Sequence, residues 1–229
     1  MSYITAVIPA AGQGSRMGAG VNKQFLKLSG KPVLVHTLEI FEKCELINDI
    51  VLIASSGEEE YCHHLLKEYG LSKITRIVTG GQERQHSVAR GLAQVSHKCD
   101  IVAVHDGARP LLLLSHLNSI LQAVSQHDGV VLAVPVKDTI KESRSDKTIK
   151  CTLDRSRLWM VQTPQVFKKD VLIYAYEKAM EEGFNGTDDA SLAEHYGFKI
   201  KVVEGSYENI KITTPEDLDL AELIFKRRR

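Results

Sequence analysis

Neither charge is in excess in this chain, whose 229 residues carry 29 Lys+Arg against 29 Asp+Glu. That excludes a global basic field of the kind that holds nucleic acid non-specifically, so any anion site must be built locally. Cysteine is scarce and scattered: Cys44, Cys62, Cys99 and Cys151 form no C-x-x-C pair. Their spacing argues against a zinc knuckle or a disulfide framework and suits the reducing cytosol. No stretch approaches the ~18 uninterrupted apolar residues of a membrane span. The start, M-S-Y-I-T-A-V-I-P, has no basic segment ahead of a long apolar one, so no secretory signal is expected. Internal repeats and low-complexity linkers are missing too. The expectation is one cytoplasmic domain over residues 1–229, long enough to bury a core without staples. The basic end, Lys226–Arg229, reads as a frayed, solvated terminus.

Short β-branched runs bounded by Gly, Ser or Asp predict strands at Ile4–Pro9, Asp49–Ala54, Ile74–Val78, Asp100–His105, Val130–Val136 and Lys199–Glu204. Helical periodicity fills the spaces between them. It predicts Val33–Cys44, Gly57–Tyr69 with a capping box from Ser56 and Glu59, Glu83–Val95, and Leu117–Gln126 capped by Ser115. Further helices are expected at Lys168–Glu181, Asp188–His195 and Pro215–Lys226. This β-α-β-α rhythm indicates an α/β fold, a mostly parallel sheet with helices on both faces.

The rhythm breaks at residues 137–152, K-D-T-I-K-E-S-R-S-D-K-T-I-K-C-T, which alternate around a polar turn and read as a hairpin. It has too few apolar residues to stand alone. An arm leaning on another surface is expected, and a second subunit is a natural candidate.

The first strand runs into P-A-A-G-Q-G-S-R-M, Pro9 to Met17. Parallel sheets bind ligands beyond the carboxyl ends of their strands, and Gly12 and Gly14 would let backbone N–H groups approach phosphate oxygens. Arg16 and Lys23 follow at a distance suited to pairing with a polyphosphate. A tight strand-to-helix turn explains the glycines equally well at this point. The dinucleotide fingerprint is excluded because Met17 stands where its third glycine belongs, and Gly30-Lys31 precedes Pro32, so there is no Walker loop. Asp106, at a strand end, suits magnesium, a hard cation that prefers oxygen, or caps the turn through Gly107. His105 beside it reads as a packed strand histidine, and Trp159 and Tyr174 as packing residues. Glu83 and Arg84 fit a solvated helix start. The turns at Thr187-Asp188-Asp189 and Thr214-Pro215-Glu216-Asp217 fit helix caps.

Seven further segments follow the glycine loop in order: G-G-Q-E-R-Q-H-S-V (80–88), V-H-D-G-A-R-P (104–110), V-P-V-K-D-T-I-K (134–141), D-R-S-R-L-W (154–159), Q-T-P-Q-V-F (162–167), T-D-D-A-S (187–191) and E-G-S-Y-E-N-I-K-I-T-T-P-E-D-L (204–218). Together they resemble the 2-C-methyl-D-erythritol 4-phosphate cytidylyltransferases of the non-mevalonate isoprenoid pathway, over nearly the whole chain. The resemblance implies a Rossmann-like fold of the nucleotide-diphospho-sugar transferase type and transfer of CMP from CTP to the methylerythritol phosphate, with Mg²⁺ on Asp106. It implies that Gly81, Gln82 and Ser87 meet the cytosine with the backbone of Ala10 and Ala11. Gly12, Gly14 and Gly107 complete the nucleotide-binding candidates. Lys211 is implied at the phosphates beside Arg16 and Lys23; from the residues alone it reads as an exposed lysine on a short strand. The 187–191 turn is implied near the acceptor.

The resemblance also implies a homodimer in which the arm enters the partner's site. Arg155 would clamp the acceptor phosphate there and Thr139 would add a hydrogen bond, while Arg157 points the other way if that stretch is extended. Two rivals share part of this pattern. A ribitol-5-phosphate cytidylyltransferase would carry A-G-G in place of A-A-G. An NAD-binding protein would end its second strand on an acid, where Ser55-Ser56 stand. A non-catalytic nucleotide-binding regulator could dispense with Arg16, Lys23 and Asp106.

Overall fold

The computed structural model describes residues 2–12 and 22–228. Gly14 and Arg16 lie outside them. The chain runs β1 (Ile4–Pro9), the short pair β2 (Lys27–Leu28) and β3 (Lys31–Pro32), α1 (Val33–Lys43), β4 (Asp49–Ala54), α2 (Glu59–Glu68), β5 (Ile74–Thr79), α3 (Arg84–Leu92) and β6 (Ile101–Val104). It continues with α4 (Leu114–Ala123), β7 (Gly129–Pro135), β8 (Lys141–Ser143), β9 (Ile149–Thr152), β10 (Trp159–Lys168), α5 (Lys169–Glu182), α6 (Asp189–His195), β11 (Ile200–Glu204) and α7 (Pro215–Arg227). No described helix is long and apolar enough to cross a membrane, and all four cysteines are free.

Seven strands form one sheet in the order β11-β7-β10-β6-β1-β4-β5. All its pairs are parallel except those of β10, which runs antiparallel to both β6 and β7. Successive residues of a strand face opposite sides, and both sides of this sheet are apolar. Ile4, Ala6 and Ile8 of β1 join Leu34, Leu38 and Phe41 of α1 and Leu117 and Ile120 of α4 in one core. Val7 joins Val88 and Leu92 of α3, Leu172 and Ala175 of α5 and Leu192 of α6 in the other. A smaller cluster of Leu28, Val33, Ile212, Ala221 and Ile224 seats α7 on the β2–β3 corner.

The structure corrects several expectations. β10 is a strand that the sequence pattern does not predict, because Pro164 lacks a ladder donor and argues against a central position. The pairing of β10 with β7 shifts register between Val161 and Gln165, which places Pro164 in the irregular stretch. Ser56 and Glu59 form no capping box. A turn through Gly57 (φ +85°) delays α2 to Glu59, and Glu59 instead accepts from Gly57 N and Thr79 Oγ1. Ser115 does not cap α4, which starts one residue before it, with Leu113 at the N-cap. Lys211 lies in a loop, not on a short strand. Tyr174 packs as expected, edge-on against Tyr196 and Phe198 at the surface, whereas Trp159 is 40% exposed. Residues Arg155–Arg157 form a helical turn, so the extended geometry assumed for Arg157 does not hold. Nor is the basic end solvated throughout: Arg228 bonds Glu208 and the carbonyl of Leu111, and Arg227 pairs with Glu208. The caps at Asp188 and Thr214 are present as expected.

The β8–β9 hairpin is exposed along its whole length. Its root is held by Tyr207, whose hydroxyl donates to the Pro135 carbonyl (2.6 Å) and whose ring lies 3.5 Å from Lys137 Nζ.

Helix α3 lies so close to the sheet that a Cβ on Gly91 would stand 2.7 Å from Ile53 Cδ1 and 2.9 Å from Val7 Cγ1. Glycine there costs helix propensity but permits the approach that carries residues 84 and 87 to the strand ends. Gly91→Val is expected to destabilise the protein by about 1–3 kcal/mol through overpacking. Denaturant midpoints measure this, and an unchanged midpoint would mean that α3 does not sit this close.

Candidate active site

The ends of β1, β5 and β6 converge at the carboxyl edge of the sheet, where a parallel fold presents its loops. After β1 the chain crosses over β4 through Ala10 N–H to Ile53 O (2.7 Å), and the buried Gln24 carboxamide donates to the Ala10 carbonyl. After β5, Gly80 allows the two loops to touch, since a Cβ there would lie 2.3 Å from Ala11 Cβ. Gly81 N–H donates to Ser87 Oγ (3.0 Å), and that hydroxyl donates to Glu83 O (3.0 Å). Gly107 N–H donates to Pro9 O (3.0 Å) and its carbonyl accepts from Thr37 Oγ1, which locks the β6 turn to the first loop.

These loops enclose a hollow lined by Pro9, Ala10, Gly12, Lys23, Gln24, Gln82, Glu83, Arg84, Ser87, Asp106, Ala108 and Lys211. Seven of the candidate residues therefore meet in one place: Ala10, Gly12, Lys23, Gln82, Ser87, Asp106 and Lys211. Ala11, Gly81 and Gly107 do not line it, and Gly81 borders a separate hollow beside Gln82 and His86. Thr139 and Arg155 are exposed on the arm side and line neither this hollow nor the next, and Arg155 Nη1 donates to the Lys137 carbonyl (2.6 Å). A second hollow adjoins the first and shares Arg84, Asp106 and Lys211 with it. Its remaining wall includes Arg109, Gln162, Thr163, Gln165, Thr187 and Asp188, so the 187–188 turn belongs to the site as well as capping α6.

Asp106 stands between the hollows, ringed by cations. Lys211 Nζ is 2.9 Å from its Oδ2, Arg84 Nε 3.2 Å from Oδ1 and Arg109 Nε 3.6 Å from Oδ2. Burial alone would raise this carboxyl, but Arg84, then Lys211 and Arg109, outweigh it and hold the group well below the usual carboxylate range. Arg84 is not a solvated helix start. It reaches across to Asp189, a fully buried carboxylate, with two bonds of 3.0 and 2.7 Å, and Tyr176 OH donates to the same carboxylate (2.5 Å). Burial disfavours the Arg84 charge, yet Asp189 and Asp106 raise its pKa further still.

The backbone of Asp106 is fixed from below. Its N–H donates to Thr163 Oγ1 (3.1 Å), and that hydroxyl faces His105 Nδ1 (3.1 Å), while His105 Nε2 lies 3.2 Å from the Arg109 carbonyl. A carbonyl can only accept, so Nε2 carries the proton and Nδ1 accepts from Thr163. His105 is fully buried, and that burial lowers its pKa to about 4.

Sequence reasoning missed Arg84, Thr163 and Gln24 as parts of this site, and reached Asp189 only as part of the 187–191 turn. Arg84 acquires its place through Asp189, 105 positions on, and Thr163 through Asp106, 57 positions back. Arg109 carried one local signal, its position three residues after Asp106. Among the described residues no group of three His, Cys, Asp or Glu side chains could hold a metal ion. One carboxylate beside a basic hollow suits Mg²⁺, which keeps several waters and takes most other oxygens from substrate phosphates.

The family model for 2-C-methyl-D-erythritol 4-phosphate cytidylyltransferase matches residues 4–227. The chain belongs to this family. A cytidylyltransferase of that name from Alkaliphilus metalliredigens is 46% identical over 229 residues, covering 100% of this chain and 95% of the relative. Its counterpart from Symbiobacterium thermophilum is 50% identical over 223 residues, covering 97% and 93%. Among solved structures, a 4-diphosphocytidyl-2C-methyl-D-erythritol synthase from Anaerococcus prevotii superposes with a TM-score of 0.90 at 32% identity, covering 99% of this chain and 97% of that one. The cytidylyltransferase from Thermus thermophilus gives 0.80 at 30% identity, with coverage of 99% and 100%. The family's enzymes are nucleotidyltransferases, and this cytidylyltransferase shares their mostly parallel sheet.

The buried neutral His105 gives the cytidylyltransferase a pH-dependent stability with a definite sign. Between about pH 6.5 and 4 the unfolded chain takes up a proton here that the folded chain refuses, so stability falls as pH falls through that window. The loss from this residue is on the order of 3 kcal/mol across it. Denaturant titrations from about pH 7 to 4.5 are expected to show a shallower decline in His105→Asn than in the parent chain, from a lower starting stability. Parallel declines would show that His105 takes up protons equally in both states.

Proposed function

We propose that this enzyme moves CMP from CTP to 2-C-methyl-D-erythritol 4-phosphate, giving 4-diphosphocytidyl-2-C-methyl-D-erythritol and pyrophosphate, with the nucleotide in the first hollow and the acceptor in the second. The observation that carries this reading is the pair of adjoining hollows that share one carboxylate and two cations. Such a pair suits two anions that must react with each other. An oxygen of the acceptor phosphate attacks the α-phosphorus of CTP. The new P–O bond forms as the bond from the α-phosphorus to the bridging oxygen breaks, and pyrophosphate leaves with that electron pair. The attacking phosphate is already anionic at neutral pH, so no side-chain base is required, and His105, with both nitrogens engaged, is not needed as one.

Catalysis in this scheme is positioning and charge neutralisation. Lys23 and Lys211 face the nucleotide's phosphates, with Arg16 as a further cation from the loop. Arg84 and Arg109 border the acceptor side. Asp106 is the residue that would hold Mg²⁺, whose charge would offset the α- and β-phosphate oxygens. For the base, Ser87 Oγ has spent its proton on Glu83 but retains a lone pair, which can accept from the cytosine N4 amine. Gln82 lies at the rim and the backbone of Ala10 and Ala11 faces the same end.

The arm extends the proposal to a homodimer. Ile140, Ile149, Leu153, Trp159, Met160 and Val161, all at least 36% exposed, line the arm and the start of β10. An apolar surface of this extent favours a protein partner over water, and a second copy would bring Thr139 and Arg155 to the acceptor hollow of its neighbour.

Lys23→Ala is expected to lower kcat by roughly 10²-fold or more, the scale for losing one transition-state contact. Pyrophosphate release at saturating CTP measures it, and full turnover would remove Lys23 from the mechanism. Arg155→Ala is expected to raise the KM for the acceptor while leaving that for CTP close to normal. Mixing the Lys23→Ala and Arg155→Ala proteins at low acceptor concentration should restore turnover that neither has alone, since a mixed dimer owns one intact composite site. Failure of the mixture would place Arg155 in its own chain's site or outside the site altogether. Offering ribitol 5-phosphate beside the methylerythritol phosphate tests acceptor identity, and preference for ribitol would overturn the assignment.

A further inference from the structure

Lys211 touches Asp106 although it follows residues 205–210, a stretch with no regular structure. A lysine has a long flexible stem, so holding its ammonium at one place needs a firmly held backbone nearby. Two buried polar residues hold that stretch: Gln162 Nε2 donates to the Ser206 carbonyl (2.8 Å), and Asn209 makes the larger set of bonds. Asn209, two positions earlier, is fully buried. Its Nδ2 donates to the Thr163 carbonyl (2.9 Å) and to Gln162 Oε1 (3.3 Å). Its own carbonyl accepts from Arg109 Nη1 (2.6 Å), and its N–H donates to Ser206 O (3.0 Å).

Two parts of the reaction centre bond this side chain and peptide, and a third, Lys211, follows two positions on. Thr163 holds the Asp106 backbone, Arg109 borders the Asp106 carboxylate, and Lys211 pairs with that carboxylate. Among the described residues Asn209 Oδ1 has no hydrogen-bond partner, so the amide acts there through its donating half. Beyond Lys211, Ile212 N–H donates to the Ala108 carbonyl (2.9 Å), which pins the far side of the same turn to the residue between Gly107 and Arg109. The lysine is thus held on both sides, with Thr213 Oγ1 on its own carbonyl (2.9 Å), and Asn209 is the side chain that ties its loop to Thr163.

We propose that Asn209 is a positioning residue for the transfer reaction, which acts by fixing Lys211 against the Asp106 turn. This rests on the reading of Lys211 as a phosphate contact. Removing the carboxamide leaves the Thr163 carbonyl and Gln162 Oε1 short of a buried donor, frees the loop, and lets the ammonium drift from the phosphates while the lysine itself remains.

The test is a double-mutant cycle between Asn209→Ala and Lys211→Met, read as kcat for CMP transfer, with thermal melts on all four proteins. Asn209→Ala alone is expected to lower kcat by about 10-fold or more, with a smaller change in the KM for CTP. In the Lys211→Met background the same substitution should change kcat by less than about 3-fold, because the group it positions is gone. Equal losses in both backgrounds would overturn the proposal and leave Asn209 a general structural residue. If Lys211→Met alone left kcat unchanged, the reading of Lys211 itself would fail and the proposal with it. Should Asn209→Ala not fold, Asn209→Ser, which keeps a hydroxyl donor, carries the same cycle, with the same outcomes supporting or overturning the proposal.

Discussion

The structure around this site depends on one buried carboxylate whose charge is answered from three directions. Asp106 sits at the end of a central strand, almost out of water, and would be intolerable there without Arg84, Arg109 and Lys211. Each of those cations comes from a different segment: the start of α3, the turn after β6, and the loop before α7. Satisfying one charge therefore draws three segments to the same point. The second buried carboxylate, Asp189, repeats the arrangement one layer deeper, as it holds the far side of Arg84 and ties α6 into the network.

This arrangement explains how a chain with no net charge can receive two polyanions. The positive groups are not spread over the surface but gathered in reserve, where Arg84, Arg109 and Lys211 face the two carboxylates of Asp106 and Asp189. In the proposed reaction, binding would be an exchange of partners, in which phosphate oxygens compete with Asp106 for Lys211 and the arginines. Such exchange limits the net gain on binding and also eases release, since the carboxylate is at hand to take the cations back when pyrophosphate departs.

Much of the fold is legible in the sequence because its signals are local. The β-branched runs delimit β1 and β4 residue for residue, and periodicity places the main helices to within a few residues, because both faces of the sheet are buried and turn residues mark the ends. The places of Gly12 and Asp106 at the hollow are legible for a related reason: a strand end followed by small residues is a local pattern that marks the sheet's carboxyl edge. What stays hidden is decided at long range. β10 carries a proline that reads against a central strand, and only its irregular register with β7 accommodates it. Arg84 has the local pattern of a helix-start residue, and its true role comes from Asp189 beneath it. Asn209 carries no local signal at all, since an asparagine in a loop is ordinary in sequence and its meaning comes from Thr163, Gln162 and Arg109.

The loop that ends at Lys211 also grips the base of the hairpin, through the Tyr207 hydroxyl on Pro135 and its ring under Lys137. Only four positions separate Tyr207, at the root of the arm a protomer would lend, from Lys211, which it keeps. In a dimer of the kind proposed, the lent and retained halves hang from a single peg, so a change at Tyr207 would disturb both together.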